Sequence, residues 1–163
     1  MVRPFRSETV RYGEYAKAGE FVYDHPFQWG SKRTGPDLLR EGGKNPDSWH
    51  YYHMWDPTTT SPGSLMPAYT HLFEDALDTS TTRAKIEAMI TLGVPYDKAP
   101  YGPDYPAKAN ADLVAQSLQV VDRLRADKIE AMSDREIIAV IAYLQRVGTD
   151  IKAKAPVVAT TAP

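Results

Sequence analysis

Pro62-Gly63-Ser64-Leu65-Met66-Pro67-Ala68-Tyr69 is the stretch on which the reading of this chain turns. A thioether sulfur is a soft, weak ligand that suits haem iron, and paired with histidine it raises the reduction potential. A weak ligand on a flexible side chain has to come from a stiff loop, and the flanking prolines supply stiffness by fixing φ. A bare Met-Pro pair reads as a loop methionine packed on a core; its neighbours decide between the two readings.

The first neighbour lies about thirty residues upstream, at Arg33-Thr34-Gly35-Pro36-Asp37-Leu38. A Gly-Pro turn followed by leucine can lay a flat apolar wall against a porphyrin, and Arg33 can pair with a propionate. Alone, Gly-Pro-x-Leu is only a turn. The second is Ala142-Tyr143-Leu144 in the last expected helix, an aromatic-leucine pair able to cross and lock an N-terminal helix. As a bare pattern it is core.

The rest of the chain is expected to be mostly α with long loops. Residues 1–45 read as loops, with a turn or two of helix in Ser7–Tyr15. Asn45-Pro46-Asp47 starts a helix with Asn45 as N-cap, ending before Pro57. Residues 57–70 are too rich in turn formers for regular structure. A helix is expected from about Thr82 to Leu92, with Ile86, Met89 and Ile90 on one face and Gly93 beyond its end. Residues 94–106 read as an extended loop. A longer helix follows from about Ala107 to Asp127, with Leu113, Ser117, Val121 and Leu124 on one face. The last helix opens on the capping box Ser133-Asp134-Arg135-Glu136. Ile137, Ile138, Ile141, Leu144 and Val147 line its face and Gly148 stops it. Residues 1–151 read as one domain, and 152–163 as a disordered tail rich in Ala, Thr and Pro.

Composition narrows the function classes. The chain has 163 residues, 42% hydrophobic and 25% charged, with net charge −2. That is ordinary for a globular protein and implies no nucleic-acid or membrane-surface field. There is no cysteine. Disulfides, zinc-thiolate sites, iron–sulfur clusters and covalent haem c are therefore excluded for this chain as written. No run approaches the roughly 20 apolar residues of a membrane span. Met1-Val2-Arg3-Pro4-Phe5-Arg6 offers no apolar stretch for a signal peptide.

Four histidines remain. His50 and His53 share a helix face at i and i+3 and form a weak candidate metal pair. No third ligand or general-base glutamate stands at the spacing a zinc hydrolase needs. His25 and His71 read as loop residues.

The three signals, in this order, resemble a class I cytochrome c domain. The likeness sharpens over longer stretches: Met1–Thr9, Gly19-Glu20-Phe21-Val22-Tyr23-Asp24-His25-Pro26, Trp29–Leu38 and Gly148-Thr149-Asp150-Ile151 resemble subunit II of cbb3-type cytochrome c oxidases. This is the mono-haem subunit, also called FixO or CcoO. The resemblance runs from Met1 to about Ile151.

It implies an N-terminal membrane anchor and a cytochrome c domain at the periplasmic face of the bacterial inner membrane. Such a subunit has no chemistry of its own. It passes electrons towards the haem–copper subunit I beside the di-haem subunit III, in aerobic or microaerobic respiration. The family's haem c is held through Cys-x-x-Cys-His. Met66 matches the second axial ligand, Pro36 and Leu38 match the haem-packing turn, and Arg33, Trp29 and Tyr69 are implied haem neighbours. In the family the attachment motif lies a few residues upstream of the stretch matching Met1. The expectation is therefore a domain truncated at its N-terminus, with haem absent or non-covalent. Its uncovered haem-facing surface is expected to favour self-association. Two readings stay beside this one: a haem-free structural or assembly module of the oxidase, and a histidine-based metal protein.

Overall fold

A computed structural model describes residues 3–23, 41–98 and 101–149. Among them all regular structure is helical: α1 (Arg6–Tyr12), a 3-10 turn (Ala18–Phe21), α2 (Asp47–Trp55), α3 (Pro57–Thr60), α4 (His71–Glu74), α5 (Thr82–Thr91), α6 (Tyr105–Ala126) and α7 (Glu136–Arg146). The mostly α expectation holds. No helix of the described residues is long and apolar enough to cross a membrane.

The core is built by α6 and α7. Val120, Val121 and Leu124 of α6 meet Ile137, Ile138 and Ile141 of α7, with Ile129 between the helices. These positions recur at three- and four-residue spacing, which puts them on one face of each helix. Burying each such side chain contributes roughly 1.5–3 kcal/mol. α2 and α4 close the other side, bringing Tyr51, Met54, Leu72 and Phe73 onto the cluster.

Helix ends follow local chemistry in some places and tertiary contacts in others. Gly93 stands beyond α5 at φ 92°, as expected, and Val94 N–H returns to Met89 O at 3.0 Å. α6 ends in the same motif without glycine. Lys128 takes φ 64°, Ile129 N–H donates to Leu124 O at 2.9 Å, and Lys128 N–H to Arg125 O at 3.0 Å. The contact between Ile129 and Leu124 in the core holds this turn in place of a favourable backbone residue.

Four expectations need correction. The capping box at Ser133 and Glu136 does not form: α7 starts at Glu136 with Arg135 as N-cap and no side-chain cap. Glu136 N–H donates instead to Asp75 O at 3.2 Å, and Leu77 N–H to Asp134 O at 2.8 Å. A bridge from the exit of α4 satisfies the donor that a serine was expected to serve. Asn45 is not the N-cap of α2; Pro46 is, and the Asn45 amide donates to Glu41 Oε1 at 2.9 Å.

The segment 57–70 is not wholly irregular either. Asp56 Oδ1 accepts from Thr58 N (3.0 Å) and Thr58 Oγ1 (2.7 Å), and Pro57 at the first helical position lets α3 make one turn. Finally, Leu144 is buried but Tyr143 is 61% exposed. Leu144 lies seven residues from Ile137 on the core face, and the 100° step to Tyr143 turns that ring outward.

A strap at 41–45 fastens the start of α2 to the end of α7. Gly42 N–H donates to Val147 O at 2.9 Å, and Gly43 N–H to Gln145 Oε1 at 3.1 Å. Gln145 Nε2 donates to Asn45 O at 2.8 Å. A Cβ on Gly42 would overlap the carbonyl oxygens of Val147 and Gln145, so only glycine permits this approach.

Candidate functional site: the Met66 loop

The segment from Ser61 to Thr70 leaves α3 and returns at α4. It opens on a turn with type II features: Pro62 second, Gly63 third at φ 78°, and Ser64 N–H donating to Ser61 O at 3.0 Å. The Ser64 hydroxyl then accepts from Met66 N–H at 3.2 Å. Met66 is partly buried beside Leu65, which is 99% exposed. The Pro-Gly signal in the sequence thus becomes a turn followed by a serine brace on the methionine itself.

Both ends of the loop are tied to adjacent residues of α2. At the entry, His53 Nδ1 and Thr60 Oγ1 share a hydrogen bond of 2.5 Å. At the exit, Tyr69 N–H donates to Met54 O at 2.9 Å. His53 is held by Trp49, whose ring stacks on it at 4.4 Å and 16°. Phe73 packs edge-on against Tyr51 (4.9 Å) and Trp55 (5.0 Å), fixing α4 to the same helix. The aromatic run Trp49–Trp55 therefore stiffens the seat of the loop, while Tyr52 and Trp55 remain about half exposed.

Met66 and Tyr69 both lie on this loop. Trp29, Arg33, Pro36 and Leu38 lie outside the described residues, as do His25 and the tail 152–163. Among the described residues, no group of three or more His, Cys, Asp or Glu able to hold a metal occurs around the histidine pair or elsewhere. His50 is 1% exposed and its Nε2 has no hydrogen-bond partner. His53 is committed to Thr60. Burial holds both imidazoles below their ordinary pKa, against the opposing pull of Glu41 on both and of Asp47 on His50. His71, expected in a loop, instead opens α4; it is exposed, with its ring tilted 59° to Tyr69 at 6.0 Å. The spacing of His53 and Thr60 carried no signal by itself, since their meeting depends on the chain reversing at Pro57.

A hollow of about 830 Å³ lies elsewhere, against Gly43, Asp47, Arg123 and Gln145. Its buried carboxylate is already bonded to Arg123 and Gln145.

These features define a helical domain that presents one thioether from a turn-stiffened loop. The family described as cytochrome c oxidase, mono-haem subunit/FixO matches residues 1–151, and the chain belongs to that family. No curated protein matches it.

The residues present can be compared with the family's haem. Met66 has the right donor chemistry, a thioether on a partly buried residue with a braced backbone. Thioether attachment needs cysteine thiols, and this chain has none. The described residues fit the methionine side of such a group and do not fit its covalent attachment.

Proposed function

We propose that this chain forms the methionine side of the electron-transfer domain of a cbb3-type oxidase, with Met66 as the axial thioether. The bracing of Met66 by the Pro62-Gly63 turn, Ser64 and the two ties to α2 carries this reading. A loop methionine that only packs on a core has no need of so many fixed backbone bonds. Pro36, Leu38, Arg33, Trp29 and Tyr69 are proposed as haem neighbours. The proposed partners are the haem–copper and di-haem subunits, and the proposed location is the periplasmic face of the inner membrane. The protein's part is ligation, burial and docking, with no acid, base or nucleophile.

The test is spectroscopic. The purified chain gives no pyridine-haemochrome signal of covalent haem c. Titrated with iron protoporphyrin IX and no more than one equivalent of imidazole, it gives a low-spin mixed imidazole–thioether spectrum, which Met66→Leu abolishes. An unchanged spectrum in Met66→Leu would remove Met66 from its role.

The absence of cysteine favours a second reading, a haem-free structural or assembly module of the oxidase. That reading predicts binding to the partner subunits, or to a second copy, with no response to iron porphyrin.

A further inference from the structure

We propose that His53, Thr60 and Ser64 are positioning residues that fix the direction of the Met66 thioether. This rests on the reading of Met66 as a ligand and adds the machinery that aims it. A methionine side chain has three rotatable bonds, so its sulfur is placed only as well as its backbone is held.

The loop enters and leaves at consecutive residues of α2. Thr60 is tied to His53 and Tyr69 to Met54, so residues 61–68 are closed at the base. Closing the ends removes most of the freedom of a loop this short. Inside it, Pro62 and Gly63 set the turn and the Ser64 hydroxyl sets the peptide of Met66.

His53 is itself fixed from two sides. Trp49 stacks on its face. Thr60 Oγ1 lies within hydrogen-bond reach of both His53 Nδ1, at 2.5 Å, and Pro57 O, at 3.3 Å, so it is held between the helix and the turn. The chain Trp49–His53–Thr60 thus transmits the rigidity of α2 to the base of the loop. None of the three positioning residues touches an iron in this reading; each acts through Met66.

The experiment uses the full chain labelled with [methyl-13C]methionine, with Met66 assigned through Met66→Leu. In the unaltered chain the Met66 methyl gives one resolved signal. In Thr60→Val, nearly the same shape without the hydroxyl, it moves to the position of free methionine and Tyr69 N–H exchanges at least tenfold faster. Thr60→Ser restores both. Ile138 N–H reports on the core and stays protected throughout. If Thr60→Val fails to fold, Ser64→Ala gives the same readout from the other end of the brace.

Unchanged Met66 signals and Tyr69 exchange in a folded Thr60→Val overturn the proposal. Titration with iron protoporphyrin IX and imidazole separates the two claims. A tenfold weaker thioether ligation in Thr60→Val, reversed in Thr60→Ser, supports positioning. A spectrum indifferent to Met66→Leu removes the ligand reading, and a positioning role with it, whatever the methyl signals do.

Discussion

Asp47 and Arg123, 76 residues apart in the chain, meet at 2.6 Å between carboxylate oxygen Oδ2 and guanidinium Nε. The Asp47 side chain is 5% exposed and that of Arg123 52%. Gln145 Nε2 donates to the other carboxylate oxygen at 2.7 Å. One buried acid thereby joins α2, α6 and α7. Arg123→Ala leaves Asp47 one buried partner and should cost about 1–2 kcal/mol. Gln145→Ala also frees Gly43 N–H and Asn45 O and should cost more, about 2–3 kcal/mol. Urea unfolding of both variants checks the order. A smaller loss for Gln145→Ala than for Arg123→Ala contradicts the strap's role.

Lys128 occupies a left-handed position that a glycine fills at the end of α5. The side chain contributes strain there, on the order of 1–2 kcal/mol, partly offset by its lower entropy when unfolded. Lys128→Gly should raise stability by about 0.5–1 kcal/mol, whereas Lys128→Ala should change little. Thermal denaturation reads the difference. Destabilisation by glycine means the lysine side chain makes a contact that outweighs its backbone.

Gly42 and Gly43 are neighbours with different reasons for being glycine. A Cβ at Gly42 meets backbone carbonyls that cannot yield, while at Gly43 (φ 71°) it meets open space. Gly42→Ala should cost about 2–3 kcal/mol through overpacking and loss of the bond to Val147. Gly43→Ala should cost about 1 kcal/mol, from backbone strain alone. Equal midpoints for the two variants contradict the close approach of strap and α7.

His50 and His53 are held neutral by burial, so acid acts on the unfolded chain first. Above the ordinary histidine pKa of 6.5 neither state carries a proton and the contribution is flat. Below it the unfolded state gains protons that the folded state resists, and stability falls towards the lowered folded values. Urea midpoints at pH 7.5, 6.5 and 5.5 should decline. His50→Leu should flatten that slope. It should also be neutral or stabilising at pH 7.5, because it removes an unpartnered buried nitrogen. An undiminished slope in His50→Leu shifts the effect to other groups.

The parts of the fold legible in sequence were those governed by local rules. The apolar periodicity of residues 137–144 and 117–124 located α7 and α6, and Gly93 marked the end of α5. Pro62-Gly63 announced a turn. What failed was equally local in appearance. Ser133 and Glu136 have the pattern of a capping box, but the donor they would serve is taken by Asp75 O. His50 and His53 share a helix face, as their spacing says, but only the structure shows that His50 Nε2 is buried without a hydrogen bond and that His53 is bonded to Thr60. Equivalent hydrogen-bonding partners compete, and sequence does not reveal which one folding brings closest.

By itself the sequence determined that this is a helical chain with a thioether in a proline-bounded loop and no thiol to attach a haem. Those are facts of composition, periodicity and residue chemistry, which need no partner in space. Tertiary structure alone decided how the loop is held. It reversed the chain at Pro57 so that Thr60 met His53, and set Tyr69 N–H against Met54 O, turning a soft donor in a turn into a braced one. The physical reason is that a backbone bond between distant segments depends on the closure of the whole chain, which no local pattern encodes.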